Sequence, residues 1–369
     1  MKKVKTWLNE SFYTNPLSPA CKMCAEGSKL VLLVTGLCNA KCFYCPLSRK
    51  KFGNDVIYAD EWKLDNEEDT DKIFKEAKYI NAKGAGITGG DPLVVWKRTV
   101  KYIKILKENF GKKFHIHLYT SGVINTKYIP DIVSAGLDEI RFHPNPSNWN
   151  NMDKGPCRNV IINTVNLGLD TAIEIPSLPD KKDDIISLIK WADSVGVRWI
   201  NLNELEFSET NAEKLIKKGY TVKDDVSAAV KNSQQTAIDI ISNLDLGIGL
   251  HYCSSSFKDG TQLRNRIKRR AESIANEFDI ITEEGTILKG IITSKDKKLE
   301  EIKKILIKDY KIDNKHIIVD KQRNRVQINL KIIEKISEDL KKRNIESFLV
   351  EEYPTADGLQ VEKIPFPLQ

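Results

Sequence analysis

Between residues 30 and 253 the chain alternates short apolar, β-branched runs with longer charged stretches in which apolar residues recur every three or four positions. The run Leu30-Val31-Leu32-Leu33-Val34 predicts a buried strand over 30–35. Residues 66–82 predict a helix with Ile73, Phe74, Ala77 and Ile80 on one stripe. Strands follow over 84–88, 114–120, 139–142, 171–175 and 197–203, and 247–253 reads as a seventh. The helices between them fall over 94–110, 128–135, 159–166, 182–194 and 227–244. Alternation of this kind predicts an α/β fold of parallel units, a partial (β/α)6-type or near-complete β/α barrel. Functional groups in such a fold collect at the C-terminal ends of the strands.

The pattern changes near residue 280. Strand 286–293, helix 299–310, strands 316–319 and 325–330, helix 332–343 and strand 346–352 give the βαββαβ order of a ferredoxin-like α+β domain. The expected organisation is an N-terminal segment (1–29), a β/α barrel domain (30–280) and a C-terminal ferredoxin-like domain (281–369).

A length of 369 residues suffices for these parts, and 41% hydrophobic with 30% charged residues fits a soluble globular chain. No apolar run approaches the ~18–20 residues of a membrane span. The start, Met1 to Trp7, is not followed by the apolar stretch of a secretory signal. A cytoplasmic protein is expected, with peripheral membrane association left open. The net charge of +7 is modest for this size. Its densest patch, Arg264-Asn265-Arg266-Ile267-Lys268-Arg269-Arg270, reads first as a solvated helix face and second as a contact for nucleic-acid phosphates.

The seven cysteines change the picture most. With no secretory pattern they point to reduced thiols and metal binding rather than disulfides. Cys38, Cys42 and Cys45 directly follow the first strand, a C-x3-C-x2-C spacing suited to one compact cluster. A 4Fe-4S cluster usually takes four Cys, so three leave one iron open to a substrate or cofactor. Cys21-x2-Cys24, Cys157 and Cys253 supply four more thiolates, enough for a second metal site: an auxiliary 4Fe-4S cluster, a single iron or zinc. His251 is an alternative to Cys157 in that set, and buried structural Cys is the alternative to the site itself.

The C-x3-C-x2-C run, Tyr44 just before its last Cys, and Gly89-Gly90-Asp91-Pro92 after the second strand together resemble the radical S-adenosylmethionine (radical SAM) superfamily. The resemblance covers about residues 30–205 and implies these roles. Cys38, Cys42 and Cys45 hold a 4Fe-4S cluster whose open iron takes the amino and carboxylate groups of S-adenosylmethionine. Gly89 and Gly90 let the backbone approach the methionine moiety, and Asp91 stands where the family usually has Glu. Tyr44 lies near the adenine. Ser121, His143, Glu174 and Asn203 at later strand ends are ribose candidates, Glu174 foremost, while His115 and His117 are as readily structural as functional. The implied chemistry is reductive cleavage of S-adenosylmethionine, with an electron donor of ferredoxin or flavodoxin type, to a 5′-deoxyadenosyl radical that takes hydrogen from a substrate carbon.

A C-x2-C pair preceding the radical run is similar to archaeal enzymes of lipid biosynthesis that join alkyl chains, which makes a large apolar substrate the leading expectation. Glu351 to Asp357 with Val361 to Pro365 resembles archaeal proteins described as related to pyruvate formate-lyase activating enzymes. Radical modification of RNA or protein is the alternative, and a non-catalytic iron-sulfur or zinc module is the reading from another class.

Overall fold

The computed structural model describes residues 4–14 and 16–366; the lysines at 2 and 3 lie outside them. The chain divides into two compact units, Met1–Asn265 and Arg266–Gln369, ahead of the change of pattern near 280.

Seven parallel strands carry the first unit: β1 (Lys29–Leu33), β2 (Gly84–Thr88), β3 (His115–Thr120), β4 (Glu139–Phe142), β5 (Asp170–Ser177), β6 (Trp199–Glu204) and β7 (Gly249–Cys253). Each pairs with its neighbour in chain order. The sheet is open. Beyond β1 lies an antiparallel pair, Tyr58–Ala59 with Trp62–Lys63, and beyond β7 lies another, Phe12–Tyr13 with Lys5–Thr6. The sheet does not close on itself, and these two-residue strands are too short to leave a period in the sequence.

Along the parallel strands the residue type alternates with the pleat. Leu30, Leu32, Ile116, Leu118, Ile140, Phe142, Ile173 and Ile175 are fully buried in the main core. Burying each such side chain stabilises by about 1.5–3 kcal/mol. The intervening positions, among them His117, Tyr119, Arg141, Glu174, Asn201, Asn203 and His251, line a cavity instead. Parallel strands covered on both faces are ordinarily apolar throughout, so this polar face marks the working side of the sheet.

Helices cover the apolar face. The longest, Trp96–Phe110, buries Thr99, Tyr102, Ile103 and Leu106 at the spacing of one helical stripe and ends at Gly111, φ +84°. Cys21 and Cys24 sit on helix α1 (Pro19–Ala25) rather than on a loop knuckle. Ser18 caps that helix by accepting from Ala20 N, and Pro19 occupies its first turn, where no N–H is needed.

The second unit holds an antiparallel sheet with the chain order strand Ile287–Thr293, helix Leu299–Lys308, strands Ile317–Asp320 and Arg325–Ile328, helix Leu330–Lys342 and strand Glu346–Glu352. A further strand, Gln360–Pro365, pairs with Glu346–Glu352. Ile292, Ile302, Leu306, Val326, Ile333 and Leu340 form its own core.

Candidate active site

The three-Cys loop leaves the C-terminal end of β1 and is held from two sides by backbone. On one side Gly36 N donates to Asn54 O at 2.8 Å and Gly53 N to Gly36 O at 2.9 Å. On the other, Gly90 N donates to Thr35 O at 2.7 Å and Asp91 N to Leu37 O at 2.8 Å. A Cβ on Gly89 would stand 2.1 Å from Thr35 O, and one on Gly90 2.1 Å from Leu37 O. Both glycines thus admit the loop's own backbone, and φ +139° at Gly89 needs a glycine regardless. Both also line the cavity of the cysteine loop.

Asp91 braces the same turn. Its buried carboxylate accepts from Thr120 Oγ1 (2.9 Å) and Leu93 N (3.0 Å) through Oδ1, and from Ser121 N (3.0 Å) and Ser121 Oγ (2.6 Å) through Oδ2. Four donors consume its acceptor capacity, so it ties the end of β2 to the end of β3 instead of facing a cofactor. Ser121 keeps a hydroxyl lone pair but spends its proton on that tie.

Tyr44 and His143 are likewise committed. His143 Nδ1 lies 2.6 Å from the carbonyl of Glu174 and must donate to it, leaving Nε2 to accept from Tyr44 Oη at 2.8 Å. Burial lowers the His143 pKa and raises that of Tyr44, so both are neutral and the relay is fixed. Neither ring nitrogen of His143 remains for a ribose. From the far side, Asn211 Nδ2 donates to Tyr44 O (3.1 Å) and Thr210 Oγ1 to Cys45 O (3.1 Å), clamping the loop from a segment more than 160 residues away.

Arg141, missed by the sequence reading because it lies within a strand and not at its end, is the hub of the cavity. It is 3% exposed. It donates to Glu139 Oε1 and Glu174 Oε2, each at 2.6 Å, to Ser18 Oγ at 3.1 Å and to Cys21 Sγ at 3.3 Å. Asn201 and Asn203 also donate to Glu174, at 3.1 and 2.9 Å. Burial pushes the Glu174 pKa up, but the Arg141 charge and these hydrogen bonds outweigh it and hold the carboxyl below its ordinary value. Glu174 Oε1 has one donor and so keeps a lone pair for a ligand hydroxyl.

The cavity measures about 510 Å³, and six of the seven cysteines line it: Cys21, Cys24, Cys38, Cys42, Cys45 and Cys253. Cys157 does not join them. It is buried in the core beside Gly122. Burial pushes the Cys42 thiol up to about 11 and raises Cys38 as well, so ligation of a metal would release their protons. Among the described residues no three His, Cys, Asp or Glu groups converge on a single ion. A four-iron cluster asks something different, since each thiolate binds its own iron and stands further from the others. Three partly exposed thiols on one pinned loop, opening on one cavity, fit that demand.

The basic run near 264 forms helix Arg264–Ile274, in which Arg270 is buried and only Lys268 of the seven expected residues is exposed. None of Arg264, Arg266, Arg269 and Arg270 is without a partner, which removes most of the free basic face that phosphate binding needs. Among the described residues no helix is long and apolar enough to cross a membrane.

Residues 32–202 match the sequence model of the radical SAM superfamily. A Methanocaldococcus jannaschii protein named "Putative glycyl-radical enzyme activating enzyme" is 38% identical over 99% of this chain and 96% of its own length. The chain belongs to the radical SAM superfamily. Its cluster loop and glycine turn fall inside the matched segment. A "Probable GTP 3′,8-cyclase" of Methanopyrus kandleri is 27% identical over 48% of this chain and 47% of its own. The solved structure of Streptococcus suis SuiB bound to S-adenosylmethionine aligns with TM-score 0.42 at 13% identity, over 62% of this chain and 50% of that one. Residues 285–366 match a domain of unknown function, DUF8061.

Proposed function

We propose that this radical SAM enzyme takes a hydrogen atom from a carbon of a polypeptide substrate, a glycyl residue of a partner enzyme being the leading case. The observation that carries the reading is near full-length similarity to a relative named for glycyl-radical enzyme activation. A volume of about 510 Å³ lies within the ~300–1,000 Å³ typical of one drug-sized ligand. Arg141, Glu174, Asn201 and Asn203 would leave buried polar groups against a long alkyl chain, and the similarity to known proteins lends no support to a lipid substrate.

Cys38, Cys42 and Cys45 would hold a 4Fe-4S cluster. With S-adenosylmethionine bound, such a cluster would supply one-electron reduction of the sulfonium and so the hydrogen-abstracting chemistry of its 5′-deoxyadenosyl group. The chain's own residues do the positioning. Backbone from Gly36, Gly53, Gly90 and Asp91 fixes the loop, and the free lone pair of Glu174 Oε1 is placed to accept a cofactor hydroxyl. Asn203, through its bond to Glu174, orients that carboxylate, while the neutral Tyr44–His143 relay stiffens the wall without offering a competing proton. Exposed Lys41, Arg49, Lys50, Lys217 and Lys218 near the cluster loop suit an acidic electron carrier of ferredoxin or flavodoxin type. We read the second unit as a ferredoxin-like domain.

The test is electron paramagnetic resonance of candidate glycyl-radical enzymes from the same cell, mixed with the reconstituted protein, S-adenosylmethionine and reductant. A glycine-centred doublet that needs all components is expected. S-adenosylmethionine cleavage with no protein-centred radical in any of them would overturn the polypeptide reading while leaving the radical chemistry intact.

A further inference from the structure

Three cysteines of the cavity are not used by the loop cluster. Cys21 and Cys24 lie three residues apart on α1, and Cys253 ends β7. His251, two residues before Cys253 on the same strand, lines the same cavity and is 3% exposed.

The protonation of His251 can be read from its neighbours. Asn201 Nδ2 donates to Glu174 Oε2 at 3.1 Å, which turns Asn201 Oδ1 toward the histidine. That oxygen is 2.7 Å from His251 Nδ1, so Nδ1 carries the proton and donates. Nε2 is then a bare lone pair, and it has no hydrogen-bond partner although it is buried. A buried acceptor without a partner is unfavourable. One ring nitrogen donating to a fixed oxygen while the other keeps its lone pair is how protein histidines are held for metal ligation. Cys21 Sγ approaches the same Asn201 Oδ1 at 3.7 Å, so thiol and ring are neighbours.

Cys21 faces the Arg141 guanidinium at 3.3 Å, a charge shared with Glu139 and Glu174. Lys29, which lines the cavity near Cys24, is 2% exposed, and its Nζ contacts His115 Nδ1 (2.9 Å), Ala85 O (3.2 Å) and His115 O (2.5 Å), with no carboxylate in ion-pair range among the described residues. An anion beside it would favour its protonated form.

We propose that Cys21, Cys24, Cys253 and His251 hold a second 4Fe-4S cluster facing the same cavity as the first. A single zinc or iron is disfavoured, because these side chains do not converge on one ion position. The loop cysteines, which the superfamily uses for a four-iron cluster, share that spacing behaviour. Cys157, counted on sequence grounds as the fourth ligand, is replaced by His251. The proposal rests on the radical SAM reading only for the first cluster.

The test reconstitutes the full chain anaerobically with ferrous iron and sulfide and counts metal. Wild type should hold about eight irons, two four-iron clusters, and Cys24→Ala or Cys253→Ala about four. A Cys38→Ala/Cys42→Ala/Cys45→Ala triple variant should keep about four, with a reduced-cluster resonance showing nitrogen coupling. His251→Cys should keep the iron and lose that coupling, which guards against loss of the fold as the explanation. No iron in the triple variant, one metal ion in place of four, or a resonance without nitrogen coupling would overturn the assignment. A defect in the first cluster appears separately, as wild type holding four irons that Cys24→Ala removes.

Discussion

Gly90→Ala tests how the loop is positioned, because it adds one methyl where the structure has no room. The new Cβ would lie 2.1 Å from Leu37 O, whereas such contacts are essentially never under 3.0 Å, so the turn or the loop must withdraw by close to 1 Å. The obstacle is backbone and cannot rotate away. Gly90 is not in the positive-φ region, so the cost is steric rather than conformational. Overpacking of this kind costs about 1–3 kcal/mol, and weakening the bonds from Gly90 N and Asp91 N adds about 1 kcal/mol each. At about 2–4 °C per kcal/mol for a unit of this size, Tm should fall by roughly 6–20 °C. Displacement of a reacting group by about 1 Å costs on the order of 10²-fold in rate. Calorimetry of the apo chain gives the first quantity, and chromatography of 5′-deoxyadenosine from the reconstituted enzyme gives the second. A variant that melts within a degree of wild type and cleaves S-adenosylmethionine within twofold would refute the claim that these glycines exist for backbone contact.

Further outcomes follow from the buried charges and the surface. Arg141→Met should destabilise the chain by about 3–5 kcal/mol, because Glu139 and Glu174 are left buried and unpaired; adding Glu174→Gln should recover part of the loss in urea unfolding, and no recovery would contradict the pairing. Burial lowers the Lys29 pKa to about 7, below its ordinary value near 10.4. The unfolded chain therefore keeps a proton that the native chain has released, and the stability of the apo protein should rise between about pH 7 and 8.5, by up to ~2 kcal/mol. Above that window the buried thiols oppose the trend, since the raised Cys24 and Cys42 pKa values favour unfolding as pH climbs. Lys29→Met should flatten the rise, and a variant with the wild-type slope would show that another group causes it. Lys50→Glu with Lys217→Glu should raise KM for a reduced acidic ferredoxin several-fold and lessen its salt dependence, while dithionite-driven turnover is unchanged; equal loss with both reductants would place these lysines outside donor docking.

Much of the scaffold was legible because the elements of the first unit are locally encoded. Strands 84–88 and 139–142 and helix 182–194 coincide with the structure to the residue, and βαββαβ order appears in the second unit. Strand Gln360–Pro365 escaped because its Glu and Lys residues are largely exposed and leave no apolar period. The helix at 19–25 is signalled by Ser18-Pro19, a cap followed by a first-turn proline, and at seven residues it is too short to show an apolar period.

The site divided along a different line. The cysteine loop and the glycine turn are contiguous motifs and could be named from sequence. What each side chain does could not, because its partners are distant: Asp91 meets Thr120 and Ser121, Tyr44 meets His143, and Glu139 meets Ser18. Attention to strand ends alone also hid a signal that was present. His115-Ile116-His117-Leu118-Tyr119, Glu139-Ile140-Arg141-Phe142 and Asn201-Leu202-Asn203 alternate polar with apolar at period two, which in covered parallel strands announces a polar interior. Arg141 and His251 were findable by that rule.

The most direct measurement is the yield of 5′-deoxyadenosine from anaerobically reconstituted protein given dithionite and S-adenosylmethionine, compared between wild type and Cys42→Ala. The account predicts product from wild type and none above background from Cys42→Ala, whose loop would lack one of its three ligands. Product that persists in the variant, or none from a wild-type chain carrying a full complement of reduced iron, would contradict it.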